Sequence, residues 1–223
     1  DSVDVVPSGT VGVSAQPGES TGFSIGVRNT GNSAAQYTMS CTSASQWQIM
    51  LGNSNSSSLE FEPLNILQDL SMDVNVFVPG VANGLPAAGF VDEVTCVVTS
   101  PTDSMLNHVE TVNVAVSELR SFQADLYGPS GAIGPGALAA PVYADTGDVV
   151  YYNHTISNNG NTDMDFTVSL VRGNPEWAGE ISINGDSSTS NLGFNLLPGE
   201  SADVQMMLLV PETAREGNAN NYT

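Results

Sequence analysis

Pro17-Gly18-Glu19-Ser20, the alternating run Phe23-Ser24-Ile25-Gly26-Val27-Arg28 and the turn Asn29-Thr30-Gly31-Asn32 form the stretch that decides the fold. It occurs twice. Asp145-Thr146-Gly147-Asp148 leads into Tyr152, His154 and Ile156 at alternate positions, then into Ser157-Asn158-Asn159-Gly160-Asn161. Trp47 recurs as Trp177, and Val78-Pro79 as Val210-Pro211. The copies lie 129 residues apart at Gly18/Gly147 and 132 apart at Val78/Val210, so few residues were gained or lost. Such spacing predicts two copies of one structural unit.

Between the turns the period is two. Met72, Val74, Val76 and Val78 alternate with Asp73, Asn75 and Phe77, Val112, Val114 and Val116 with Asn113 and Ala115, and Phe166, Val168 and Leu170 follow the same rule. Runs of five to nine such residues, bounded by Gly, Asn, Asp, Ser and Pro, are strands. Only Leu64-Asn65-Ile66-Leu67 could make a helical turn, and it aligns with Asn195-Leu196-Leu197-Pro198, a strand-to-turn passage. The predicted fold is all-β: two tandem Ig-like antiparallel β-sandwiches, residues 1–118 and 119–223. A short junction, Val116-Ser117-Glu118-Leu119-Arg120, joins them, and Gly128 to Pro141 is a long loop inside the second. Gly31 and Gly160 are placed where the chain reverses through positive φ, and Asn29 and Asn158 where a side chain bonds its own backbone two residues on.

After Val78-Pro79 the first copy continues with two strands, roughly Gly89 to Ser100 and Asn107 to Val116. After Val210-Pro211 only Glu212 to Thr223 follow. The second sandwich is therefore expected to lack its last strands and to expose core and an open edge. Either the polypeptide is an excised piece of a longer one, as its start at Asp1 suggests, or another chain supplies a strand.

The shared pattern is a Pro-Gly-acid-Ser turn, an alternating strand and Asn-x-Gly-Asn. An aromatic-led strand, a Trp, an apolar-Pro-Gly-Glu turn, another strand and Val-Pro follow. It resembles the prokaryotic Ig-like modules of the CARDB type. Leu197-Pro198-Gly199-Glu200-Ser201 is close to the pattern, whereas the first copy has drifted to Leu67-Gln68-Asp69-Leu70-Ser71. The resemblance covers nearly all of both copies. It implies a role in adhesion, spacing or assembly outside the cell, and it carries no shared catalytic residues.

Composition narrows the partners. The 223 residues hold 24 acidic side chains against four arginines and no lysine, a net charge of −20. Such a surface repels nucleic acid and anionic membranes. It suits a salty setting or divalent cations, because about 1 M salt shortens the screening length to about 3 Å; a secreted acidic protein kept soluble by its charge reads the same way. No run of apolar residues is long enough for a membrane span. Cys41 and Cys96 both fall on core-facing positions of predicted strands. They are read as a disulfide of an extracellular protein, worth about 4 kcal/mol by the chain-entropy model; two buried free thiols are the other reading.

Catalysis finds little footing, and the chain is read as non-enzymatic. His154 is expected at the edge of a core and His108 in solvent, neither at metal-ligand spacing with another His or Cys. Without lysine there is no Schiff-base or P-loop chemistry. Glu60/Glu62 and Asp163/Asp165 each share one strand face, with no cleft for a sugar between opposed carboxylates. The best cofactor candidate is calcium at Asn158, Asn161, Asp163 and Asp165, a set of oxygen donors round a glycine turn, with an ordinary polar turn as its rival. Asn55, Asn153 and Asn221 head glycosylation triplets. The tryptophans are read as core, against sugar stacking.

The expected function is a structural or adhesive segment of a secreted or cell-surface protein. Its partners would be other surface proteins or copies of itself. The alternatives are a filament or lattice subunit completed by strand exchange, and an accessory module that binds polysaccharide.

Overall fold

The computed structural model describes residues 3–7, 12–80, 85–101, 107–128, 131–133, 143–174 and 176–220. It divides into two units, Asp1–Leu119 and Arg120–Thr223. Every regular element among the described residues is a strand, and no helix is long and apolar enough to cross a membrane.

Unit 1 contains β1 (Val3–Pro7), β2 (Gly12–Ala15), β3 (Ser20–Asn29), β4 (Thr38–Ser43), β5 (Gln48–Leu51), β6 (Ser58–Glu60), β7 (Asp69–Phe77), β8 (Val91–Thr99) and β9 (Asn107–Val116). One sheet has the order β1-β3-β7-β5 and the other β2-β9-β8-β4-β6. All neighbours are antiparallel except β2 and β9. The period-two pattern is the cause. Phe23, Ile25 and Val27 of the first sheet and Val94, Cys96 and Val98 of the second all turn into one shared core and are almost fully buried. Burying one such side chain contributes about 1.5–3 kcal/mol, so each polar-facing alternate leaves the register no freedom to slip.

Unit 2 contains β10 (Phe122–Gly128), β11 (Gly131–Ile133), β12 (Val149–Asn158), β13 (Met164–Ser169), β14 (Gly179–Ile183), β15 (Asp186–Ser188), β16 (Asn191–Leu196) and β17 (Ser201–Leu209). Its larger sheet has the order β11-β10-β12-β17-β14-β15. The inner four strands repeat β1-β3-β7-β5 of unit 1 in the same order. The second sheet is only β13-β16; among the described residues nothing stands where β8 and β9 stand in unit 1. β11 lies inside the stretch expected to be one long loop, and residues 134–141 of that stretch fall outside the described residues. Asn184-Gly185 closes the β14–β15 hairpin with φ of 54° and 96°, the two-residue turn that this dipeptide favours.

Leu64 bridges to Ala35 and a turn follows it, the strand-to-turn passage read from its alignment. Two expectations change. Gly31 and Gly160 are not among the positive-φ glycines, whereas the matched Gly18 (83°) and Gly147 (85°) of the preceding turns are. The late turns also match two residues off the expected alignment. Leu67 donates its N–H to Asn29 O as Gly199 does to Asn158 O, so Leu67 is the counterpart of Gly199.

Candidate functional site

The residues that repeat are occupied with holding the fold. Asn29 and Asn158 end β3 and β12, and both are completely buried. The Asn29 side-chain amide donates to Ser33 O and Leu64 O, both at 2.8 Å, while its Oδ1 accepts from Gly31 N. Asn158 does the same with Thr162 O, Leu196 O and Gly160 N, all at 2.9 Å. Each asparagine thus locks its own turn and ties one sheet to the other. Unit 1 adds a bond from Tyr37 Oη to Asn29 Oδ1 at 3.0 Å. Burial raises the Tyr37 phenol above its usual range. Its counterpart in unit 2, Phe166, has no hydroxyl.

This geometry bears on the calcium residues. Asn158 uses its amide three times in the turn. Asn161 is buried, whereas Asp163 and Asp165 are exposed, and Asp165 accepts from Asn195 Nδ2 at 3.0 Å on the neighbouring strand. The described residues hold no group of three His, Cys, Asp or Glu suited to a metal. A cation bound here would have to compete with Gly160 for the Asn158 oxygen. Asp148 likewise serves its own turn, accepting from Asp145 N at 2.9 Å.

Cys41 and Cys96 form a disulfide with their Cα atoms 4.0 Å apart. They lie directly opposite each other on β4 and β8. The Cys41 N–H points the other way, to Ser57 O at 2.8 Å. The pair is therefore of the non-hydrogen-bonded kind, where antiparallel chains approach most closely. Leu170, the expected counterpart of Cys41, is buried and packs on Gly179, where an added Cβ would meet its Cδ2 at 3.0 Å.

Asn55 is exposed between β5 and β6. Asn153 is exposed on the outer face of β12 and accepts from Gln205 Nε2 at 3.1 Å. Asn221 lies outside the described residues. Trp47 is buried and meets the Phe90 ring at 5.9 Å, while Trp177 is half-buried. Trp47 borders two open clefts of about 390 and 570 Å³, and neither is lined by an acid, a histidine or an arginine. Glu60, Glu62, Asp163 and Asp165 all face solvent. His108 is half-buried, where exposure was expected. His154 points into unit 2 with its Nδ1 shielded and without a hydrogen-bond partner, and burial lowers its pKa.

Among the described residues, the inner face of unit 2 is less covered than that of unit 1. Tyr152, His154 and Ile156 are only partly buried, where Phe23, Ile25 and Val27 are nearly sealed. Phe122, paired in register with the buried Asn158, is 61% exposed. It touches Phe166 edge-on at 5.8 Å, and Phe166 stacks on Phe194 at 5.5 Å.

No known protein family matches this sequence, and no curated protein matches it. Among solved structures, the chain is similar over its whole length to the secreted serine protease VesC from Vibrio cholerae, at 10% identity and a TM-score of 0.32. It spans about half of that protease, 51% of its length. It is also similar to the YadV chaperone, at 7% identity, 100% of this chain, 91% of that one and a TM-score of 0.33. The periplasmic chaperone SfaE gives 11%, 99%, 90% and 0.33. Likeness at this level defines neither a family nor an activity.

Proposed function

We propose that this chain is a non-enzymatic structural or adhesive segment of a secreted or cell-surface protein, made of two Ig-like modules of the CARDB kind in series. The observation that carries this reading is the duplicated asparagine network: the residues that recur are spent on turns and core. The buried Cys41–Cys96 bridge supports an oxidising compartment. The acidic surface supports protein partners over nucleic acid.

Pulling the full chain in a single-molecule force experiment tests it. Two unfolding events are expected. The event from unit 1 should lengthen only after reduction, by roughly 190 Å for the 55-residue separation of the cysteines. One undivided event, or no effect of reductant, would overturn the reading.

The two-stranded second sheet of unit 2 favours a second reading, a lattice or filament subunit completed by a strand from a neighbour. A polysaccharide module needs an exposed aromatic platform; the buried Trp47 does not provide one, and Trp177 is half-buried.

A further inference from the structure

We propose that the free edge of β13 and the inner face beside it form a docking site for an incoming strand. That strand has apolar side chains at alternate positions and neutral or basic residues between them, and it lies antiparallel to β13. The site rests on the reading of unit 2 as an Ig-like module.

The internal repeat says what covers such a face. In unit 1, β4 pairs with β6 on one side and β8 on the other. In unit 2, β13 pairs with β16 alone among the described residues. Ala35 bridges Leu64 as Met164 pairs with Leu196, so β13 stands for β4 and β16 for β6. Among the described residues, the side of β13 without a partner is therefore that of β8, whose Val94, Cys96 and Val98 seal the core of unit 1.

The backbone agrees. Leu170 donates to Ser190 on the β16 side at 2.7 Å. Antiparallel pairing alternates, so Phe166 and Val168 also bond toward β16. Asp165, Thr167 and Ser169 then direct their N–H and C=O groups to the open edge, as a receiving strand must. Phe122 and Ile156 supply the apolar floor.

Charge decides the occupant. Asp163, just before β13, and Asp165, near its start, are both exposed, Asp165 also accepting from Asn195 on the β16 side, and like charges set opposite each other on adjacent strands destabilise the pair. A second copy brings 24 acidic residues, four arginines and no lysine to that edge. A neutral or basic strand of different sequence fits better.

The probe is a synthetic peptide of the β8 sequence, residues 91–99, with the inward Asp92→Ala and Cys96→Val and the outward Glu93→Lys, added to the full chain. Amide hydrogen exchange at Thr167 and Ser169 should slow about ten-fold or more. Thr167→Pro should abolish the effect, because it removes a donor from the open edge and leaves the β16 side intact. Unchanged exchange with the peptide, or the same protection at Ser169 in Thr167→Pro, overturns the site. Protection that appears without peptide and grows with protein concentration, in low or high salt, assigns the edge to a second copy and overturns the occupant. The Asn158 and Gly199 amides serve as an internal reference: their protection reports the module, so its loss would count against the Ig-like reading, and its persistence beside an unprotected Thr167 against docking alone.

Discussion

Asn158 donates to the carbonyl of Leu196 at 2.9 Å, and this bond links the end of β12 to the end of β16 across the two sheets of unit 2. Asn29 and Leu64 make the same link in unit 1 at 2.8 Å. Removing either amide strands two carbonyls and an N–H that solvent reaches poorly. Asn158→Ala should therefore cost about 3 kcal/mol, and Asn29→Ala about 1 kcal/mol more because Tyr37 also loses its acceptor. Tyr37→Phe alone should cost about 1 kcal/mol. Urea unfolding of each variant measures this; equal losses for the two asparagines would dismiss the contribution of Tyr37.

Leu67 holds a φ of 61° where its counterpart Gly199 holds 79°. A left-handed backbone costs an L-residue about 1–2 kcal/mol, and glycine gives back about 0.5–1 through its freer unfolded chain. Leu67 is 58% exposed, so little burial is lost. Leu67→Gly should stabilise unit 1 by about 0.5–1 kcal/mol, seen as a higher melting temperature. Leu67→Ala keeps the strained backbone and should show no gain; a gain in both would point to the side chain.

The disulfide restrains the unfolded state of unit 1 alone, through a separation of 55 residues. Replacing both partners by valine keeps the apolar volume while freeing the chain, at a cost of up to about 4 kcal/mol. The unit 1 transition in denaturant should move down and that of unit 2 stay in place. A shift of both, or of neither, would contradict independent units.

Strand positions were legible because alternation at Phe23, Ile25 and Val27 leaves a strand only one way to bury its apolar side. Asn-x-Gly-Asn revealed the turns, but it misled on the glycine: the side-chain acceptor of Asn29 or Asn158 holds the Gly31 or Gly160 N–H without positive φ. Leu67 hid its turn because leucine carries no turn signal; the strain there is imposed by the bond from its N–H to Asn29 O. The Asn184-Gly185 dipeptide is the local sequence signal for the β14–β15 hairpin. The calcium set at Asn158 rests on local spacing, which says nothing about the bond of its buried amide to Leu196, 38 residues away. Alternation names no sheet edge; only the pairing of β13 shows that, among the described residues, β16 is its one neighbour.

His154 occupies the place of the buried Ile25, with its ring facing the core of unit 2 and its Nδ1 unpartnered. Burial lowers its folded pKa from the ordinary 6.5. Above about pH 6.5 the ring is neutral in folded and unfolded chain alike, and unit 2 keeps its full stability. As pH falls below that value the unfolded chain binds the proton first, so stability declines until the folded pKa is passed and then levels off. Between pH 7.5 and 5.5 the unit 2 melting temperature should drop, and His154→Ile should flatten that drop. Most carboxylates titrate below this window, so a slope that survives the substitution would place its cause in another group.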